Sequence, residues 1–179
     1  MTEVKSQNPA FHRPSWHEWC MSHAFKAAER SSCLKMQTGA VLVKNDKYIV
    51  ATGYNGVVED ALHCCDHWKQ VYEESFSSTY ETIDHYVQSQ DFRTAHHDWS
   101  TEHELHGEQN CIFTAAKSSI PTEGCTMYTV YSPCVNCAKA IKMAGITKVY
   151  YRILYVRDQR GLSFLKKCNI DCLHLIKNE

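Results

Sequence analysis

Two short stretches hold the residue types best suited to chemistry. His106-Gly107-Glu108 precedes one helical run, and Pro133-Cys134-Val135-Asn136-Cys137 opens another about one supersecondary unit later. Together they read H-x-E…P-C-x-x-C. One imidazole and two thiolates make three protein ligands for a zinc ion and leave a fourth tetrahedral position for water. Zinc lowers the pKa of such a water towards neutrality. Glu108, two residues from His106, is placed to move protons rather than to bind metal. Cys134 and Cys137 stand one turn apart at a helix start, where unpaired N–H groups favour thiolate. A C-x-x-C alone would also suit a redox pair. A structural zinc site would want a fourth ligand, for which Cys111 or Cys125 would serve. Both halves of the pattern occur in order, each opening a helix with a strand between, and this favours the catalytic reading.

The elements that must position these groups follow from local patterning. Ser15-Trp16-His17-Glu18 has the form of a capping box. Trp16, Trp19, Cys20, His23, Ala24 and Ala27 recur at helical spacing, so the spacing predicts an amphipathic helix over 16–30. Residues 39–54 read as a hairpin turned at Asn45-Asp46. Gly53-Tyr54-Asn55-Gly56 follows, with glycines that permit close backbone approach to a ligand. A helix is expected over 108–118, a strand over 126–131, and a helix over 134–144 ended by Gly145. A strand over 148–155, a helix over 160–168 and a strand over 171–176 complete the pattern. Helices and strands alternate around a buried sheet, which is an α/β three-layer sandwich. The whole chain, 1–179, reads as one domain, with residues 1–14 a loose arm closed by Pro14.

Residues 57–105 have a different character. Aliphatic residues are sparse, and the stretch includes His63-Cys64-Cys65, His96-His97 and His103-Glu104. It is too long for an ordinary structureless loop, and too poor in aliphatics to pack well unaided. A metal staple would explain its composition. Exposed histidines with small buried cysteines would explain it as well.

Composition narrows the function classes. The 179 residues carry a net charge of −1, with 44% hydrophobic residues, ten Cys and eleven His. That is a globular chain able to bury a core. The near-neutral charge argues against long nucleic acids as ligands. No apolar run is long enough to span a bilayer, and MTEVKSQNPAFHRPSW has no signal-peptide core. A cytoplasmic location with reduced thiols is the expectation.

The residues then make a resemblance clear. H-x-E…P-C-x-x-C is the known signature of zinc-dependent nucleobase deaminases. Residues 16–176 resemble the deoxycytidylate deaminases of the cytidine deaminase superfamily. Thr38-Gly39-Ala40-Val41, Gly53-Tyr54-Asn55-Gly56, His106-Gly107-Glu108-Gln109-Asn110, Ser132-Pro133-Cys134-Val135-Asn136-Cys137-Ala138-Lys139, Ala144-Gly145-Ile146 and Val149-Tyr150-Tyr151…Tyr155 carry it. The His/Cys-rich insert is similar to that of phage-type members. The resemblance implies a mixed sheet of about five strands and hydrolytic conversion of dCMP to dUMP and ammonia, which supplies dUMP for thymidylate synthesis. It implies His106, Cys134 and Cys137 on a catalytic Zn2+, with Glu108 moving protons and titrating above a free Glu. It implies a second, structural Zn2+ on Cys33, Cys64, His96 and Glu104, with Cys65 and His97 the competing registers.

The Gly107 backbone N–H and the Ser132 carbonyl are implied at the base. Asn55 and Asn110 are implied at the sugar and phosphate. Gly53, Tyr54, Gly56 and Lys117 are implied in allosteric binding of dCTP or dTTP with Mg2+, and a homohexamer is implied too. The sequence departs from the family in three places. His-Gly-Glu stands for the usual His-Ala-Glu and adds room, Gly56 runs into Val57-Val58-Glu59-Asp60, and Lys117 stands where Arg can occur. The alternatives are another cytosine nucleotide such as dCTP or 5-substituted dCMP, a nucleic-acid editing deaminase, or a non-catalytic zinc-binding module.

Overall fold

The structure, a computed structural model, describes residues 13–176. Most of the expected loose arm lies outside them. Helix α1 spans Trp16–Ala28 and begins with the expected capping box. The Ser15 hydroxyl accepts from Glu18 N at 3.2 Å, and the Glu18 carboxylate accepts from Ser15 N at 2.7 Å. Replacing Ser15 with Ala is expected to cost about 1 kcal/mol, a fall in Tm of about 2–4 °C by thermal unfolding.

Strands β1 (Gly39–Lys44) and β2 (Tyr48–Tyr54) form the hairpin, with a register shift between Leu42 and Val43. Strand β5 (Thr126–Tyr131) pairs antiparallel with β1 and parallel with β6 (Lys148–Ile153), which pairs parallel with β7 (Asp171–His174). The strand order is β2-β1-β5-β6-β7, the five-stranded mixed sheet that was expected.

Side-chain alternation assigns the faces. On one side Val41, Val43, Tyr128 and Val130 pack against Cys20, Met21 and Ala24 of α1. On the other, Leu42, Met127 and Val149 pack against helices α5 (Gly107–Lys117), α6 (Val135–Met143) and α7 (Arg160–Lys167). The layers are therefore α/β/α. Helix α6 ends as expected, with Gly145 just past its cap at φ +69°.

The insert departs from expectation by having a core of its own. It holds β3 (Gly56–Val57), α2 (Cys64–Val71), a π-helical turn over Tyr72–Phe76, α3 (Ile83–Gln88), α4 (Gln90–His103) and β4 (Glu104–Leu105). Trp68, Tyr86 and Phe92 are buried together, with Phe76, Tyr80 and Trp99 packed around them. Phe76 stacks on Tyr86 at 4.5 Å, and Phe92 meets Trp68 edge-on at 5.2 Å. Aromatic side chains bury about 150–250 Å² each, so the stretch packs without aliphatic periodicity. Among the described residues, no helix is long and apolar enough to cross a membrane.

Candidate active site

The candidate catalytic residues gather where two helices start. His106 is the N-cap of α5, its backbone N–H donating to Gln109 Oε1 at 3.1 Å. Cys134 is the N-cap of α6, and Cys137 lies in its first turn. Strand β5 runs into the second start and holds it beside the first. His106 Nδ1 lies 3.5 Å from Cys134 Sγ and 3.3 Å from Cys137 Sγ. Zinc bonds of about 2.3 Å to sulfur and about 2.0 Å to nitrogen, at a tetrahedral angle, put the two donors about 3.5 Å apart. The three donors thus fit one zinc ion. Neither Cys111 nor Cys125 joins them. Both are buried in the core, which removes the four-ligand structural alternative.

The electrostatics point the same way. The thiol of Cys137, and after it the His106 ring, hold Cys134 down at about 4, against burial. Cys137 is pushed well up, first by the Cys134 thiolate and then by burial. Contact with Cys134 raises His106 to about 9. Two thiolates this close repel each other unless a cation lies between them.

Glu108, only 4% exposed, has its carboxylate 3.6 Å from Cys137 Sγ. Burial pushes its carboxyl above the ordinary range, as the sequence led one to expect.

Three insert residues and Cys33, from the connection between α1 and β1, form a second cluster. Cys33, Cys64, His96 and Glu104 each bring a donor atom within 4.8 Å of the others. His96 Nε2 is 3.4 Å from both Cys33 Sγ and Cys64 Sγ. Glu104 Oε1 is buried without a hydrogen-bond partner. Two sulfurs, one nitrogen and a buried oxygen suit tetrahedral zinc. The helical phases of α2 and α4 choose between the neighbours: Cys65 is only half-buried and His97 is exposed. Contact with Cys64 lowers the Cys33 thiol to about 3, while the same contact and burial raise Cys64. Burial, and then Cys33, raise Glu104 to about 8.

The other expected residues fall close by, with duties of their own. Asn55 is buried. Its Oδ1 accepts from Thr38 N and its Nδ2 donates to Met36 O, both at 2.8 Å. Asn110 Nδ2 donates to Tyr54 O at 2.7 Å. Ser132 N–H donates to Ile153 O, and its hydroxyl accepts from Tyr155 N, both at 2.8 Å. The close approach at Gly53 is to a helix rather than a ligand: a Cβ there would lie 2.2 Å from Cys111 N and 2.4 Å from Gly107 O. Lys117 pairs with Glu59.

The room left by Gly107 lies away from the three donors. A Cβ there would meet Gly39 Cα at 3.2 Å and Thr38 O at 3.3 Å, so it would fill the seam between α5 and β1.

Two supporting residues escaped the sequence reading. Asp158 accepts from Val135 N at 3.5 Å at the start of α6 and is held by Arg160. Gly161 lets α7 touch the Pro133–Cys134 backbone. A glycine in the first turn of a helix was the available signal.

The family model for the cytidine and deoxycytidylate deaminase zinc-binding region matches residues 14–153, a span that includes both helix starts. The match and the geometry define a zinc-dependent deaminase. The chain belongs to the cytidine and deoxycytidylate deaminase family. It is 34% identical over 172 residues to the deoxycytidylate deaminase of Enterobacteria phage T4, covering 86% of each chain. It is 30% identical over 136 residues to the Homo sapiens enzyme of that name, covering 76% of this chain and 64% of the human one. Among solved structures it is similar to the dCMP deaminase of cyanophage S-TIM5 in complex with dCMP and dUMP. That likeness has a TM-score of 0.66 and 28% identity, and covers 92% of this chain and 100% of the other.

Proposed function

We propose that this chain hydrolyses the 4-amino group of dCMP, giving dUMP and ammonia. The observation that carries the reading is Glu108, buried beside three converging zinc donors. A purely structural site has no need of such a carboxylate. The substrate rests on the similarity to deoxycytidylate deaminases and to the cyanophage enzyme solved with dCMP and dUMP.

His106, Cys134 and Cys137 hold the zinc, which when bound supplies Lewis acidity and a water acidic near neutral pH. Glu108 takes a proton from the attacking water and gives it to N3, then carries the proton of the new C4 hydroxyl to the amine as the C4–N bond breaks and the C4 carbonyl forms. Its burial favours the neutral carboxylic acid that N3 protonation requires. The Gly107 N–H and the Ser132 carbonyl hold the two ends of the amide-like edge of the base. Asn110 serves the sugar and phosphate with its Oδ1, its Nδ2 being held by Tyr54 O. Asn55 serves them through the segment it fixes at Met36–Thr38. Cys33, Cys64, His96 and Glu104 hold a second, structural zinc.

The finer readings have narrower support. Asn110, Phe113 and Lys117 share one face of α5 by spacing. Asn110 holds Tyr54 and Lys117 holds Glu59, which lines up the exposed Tyr54, Val58 and Phe113 along that surface. Such an apolar surface supports a homo-oligomer, which the resemblance makes a hexamer in the cytoplasm. A dCTP or dTTP effector, with its Mg2+, has to displace Glu59 before it reaches Lys117.

Zinc-replete turnover of dCMP, dCTP and deoxycytidine, followed by loss of cytosine absorbance with and without triphosphate effectors, tests the proposal. Strong preference for dCMP is expected, and comparable rates on dCTP would overturn it. Gly107→Ala is expected to leave the ratio of dCMP to 5-methyl-dCMP turnover within about twofold, because the added methyl faces β1 and steric selection acts only on groups in contact. A several-fold change would put Gly107 back in the pocket wall.

A further inference from the structure

The two donor clusters are joined by very little chain. Glu104 and His106 flank Leu105 in extended backbone, so their Cα atoms stand roughly two strand rises, about 7 Å, apart. Strand β4 is pinned in that position by β3, Gly56 opposite Leu105 and Val57 opposite Glu104. A second route leaves the insert cluster at Cys33. Cys33 N–H donates to Ser31 Oγ at 3.2 Å, and Ser31 Oγ donates to Asn55 O at 2.8 Å. Asn55 precedes Gly56 of β3 and grips Met36 and Thr38 with its side chain. Thr38 and Gly39 then form the surface against which Gly107 sits. Both routes end at the first residues of α5, which carry His106 and Glu108.

The insert cluster can hold these routes only while its donors stay together. Glu104 Oε1 is buried without a partner, which costs free energy unless something compensates. A cation drawing Cys33, Cys64, His96 and Glu104 together supplies that compensation and fixes both routes at their starting points.

From this connection we infer that the two clusters bind zinc cooperatively. An ion at the insert cluster positions His106, and an ion at His106, Cys134 and Cys137 raises the affinity of the insert cluster by the same factor, as linkage requires. Glu104 is then a positioning residue for the catalytic centre. The inference rests on the reading of the insert cluster as a second zinc site.

The test is a thermodynamic cycle read by zinc competition with a chromogenic chelator. Cys64→Ala leaves the catalytic set, Cys137→Ala leaves the insert set, and the wild type has both. The wild-type two-zinc constant should exceed the product of the two single-site constants by roughly tenfold or more, within the usual range of coupling energies. In the Cys137→Ala protein, zinc should also slow amide exchange at residues 105–107 and 38–39. Equal constants with unchanged exchange would overturn the coupling while leaving a two-zinc protein. A wild type that binds a single zinc would overturn the second-site reading and the coupling with it. Should a cysteine variant fail to fold, Glu104→Gln and His106→Asn close the same cycle.

Discussion

Glu108→Gln is expected to lower turnover of dCMP by roughly 100- to 10,000-fold, about 3–5 kcal/mol of transition-state stabilisation, with zinc content unchanged. Glutamine has the same shape, so the start of α5 and the packing of residue 108 beside Cys137 are kept. Only the ability to accept and return a proton is lost. Glu108 itself is almost fully buried, so bulk solvent cannot readily replace the shuttle. The measurement pairs a cytosine absorbance assay with zinc quantification on the same preparation. A zinc-loaded Glu108→Gln protein within a few-fold of the wild-type rate would remove Glu108 from the chemistry.

Gly161→Ala should disable the same site from outside it. A Cβ at residue 161 would lie 2.0 Å from Pro133 O and 2.8 Å from the carbonyl carbon and oxygen of Cys134. All three are backbone atoms, so no flexible side chain can move aside. Helix α7 and the start of α6 must separate, and Cys134 moves with the latter. Overpacking of this kind costs about 1–3 kcal/mol. A shift near 1 Å in a reacting group costs on the order of 100-fold in rate. The expected result is a lower Tm, weaker zinc binding and a rate reduced about 100-fold. Ser163→Ala, on an exposed position of the same helix, should change none of these. Wild-type zinc affinity in Gly161→Ala would show that α7 does not support the site.

The sequence by itself pointed to His106, Cys134 and Cys137 as candidate donors and to Glu108 as the candidate proton carrier, because helix geometry fixes what stands one turn from what. A helix start also supplies the same N–H groups in any fold. The hairpin, the α1 capping box and most element boundaries were legible for the same local reason. Three things were not.

The insert looked underpacked because its core is aromatic, with Trp68, Tyr86 and Phe92 at no regular period. The resemblance named Cys64 and His96, but only tertiary structure shows that these, rather than Cys65 and His97, cluster with Cys33 and Glu104. Neighbours in a helix point in different directions, and which one turns inward depends on Cys33, 63 residues from His96. The space beside Gly107 read as pocket room, yet its direction is set by where β1 lies against α5. Spacing along a chain specifies residue type and local phase. Which face is buried, and against what, is settled only when segments far apart in sequence pack together.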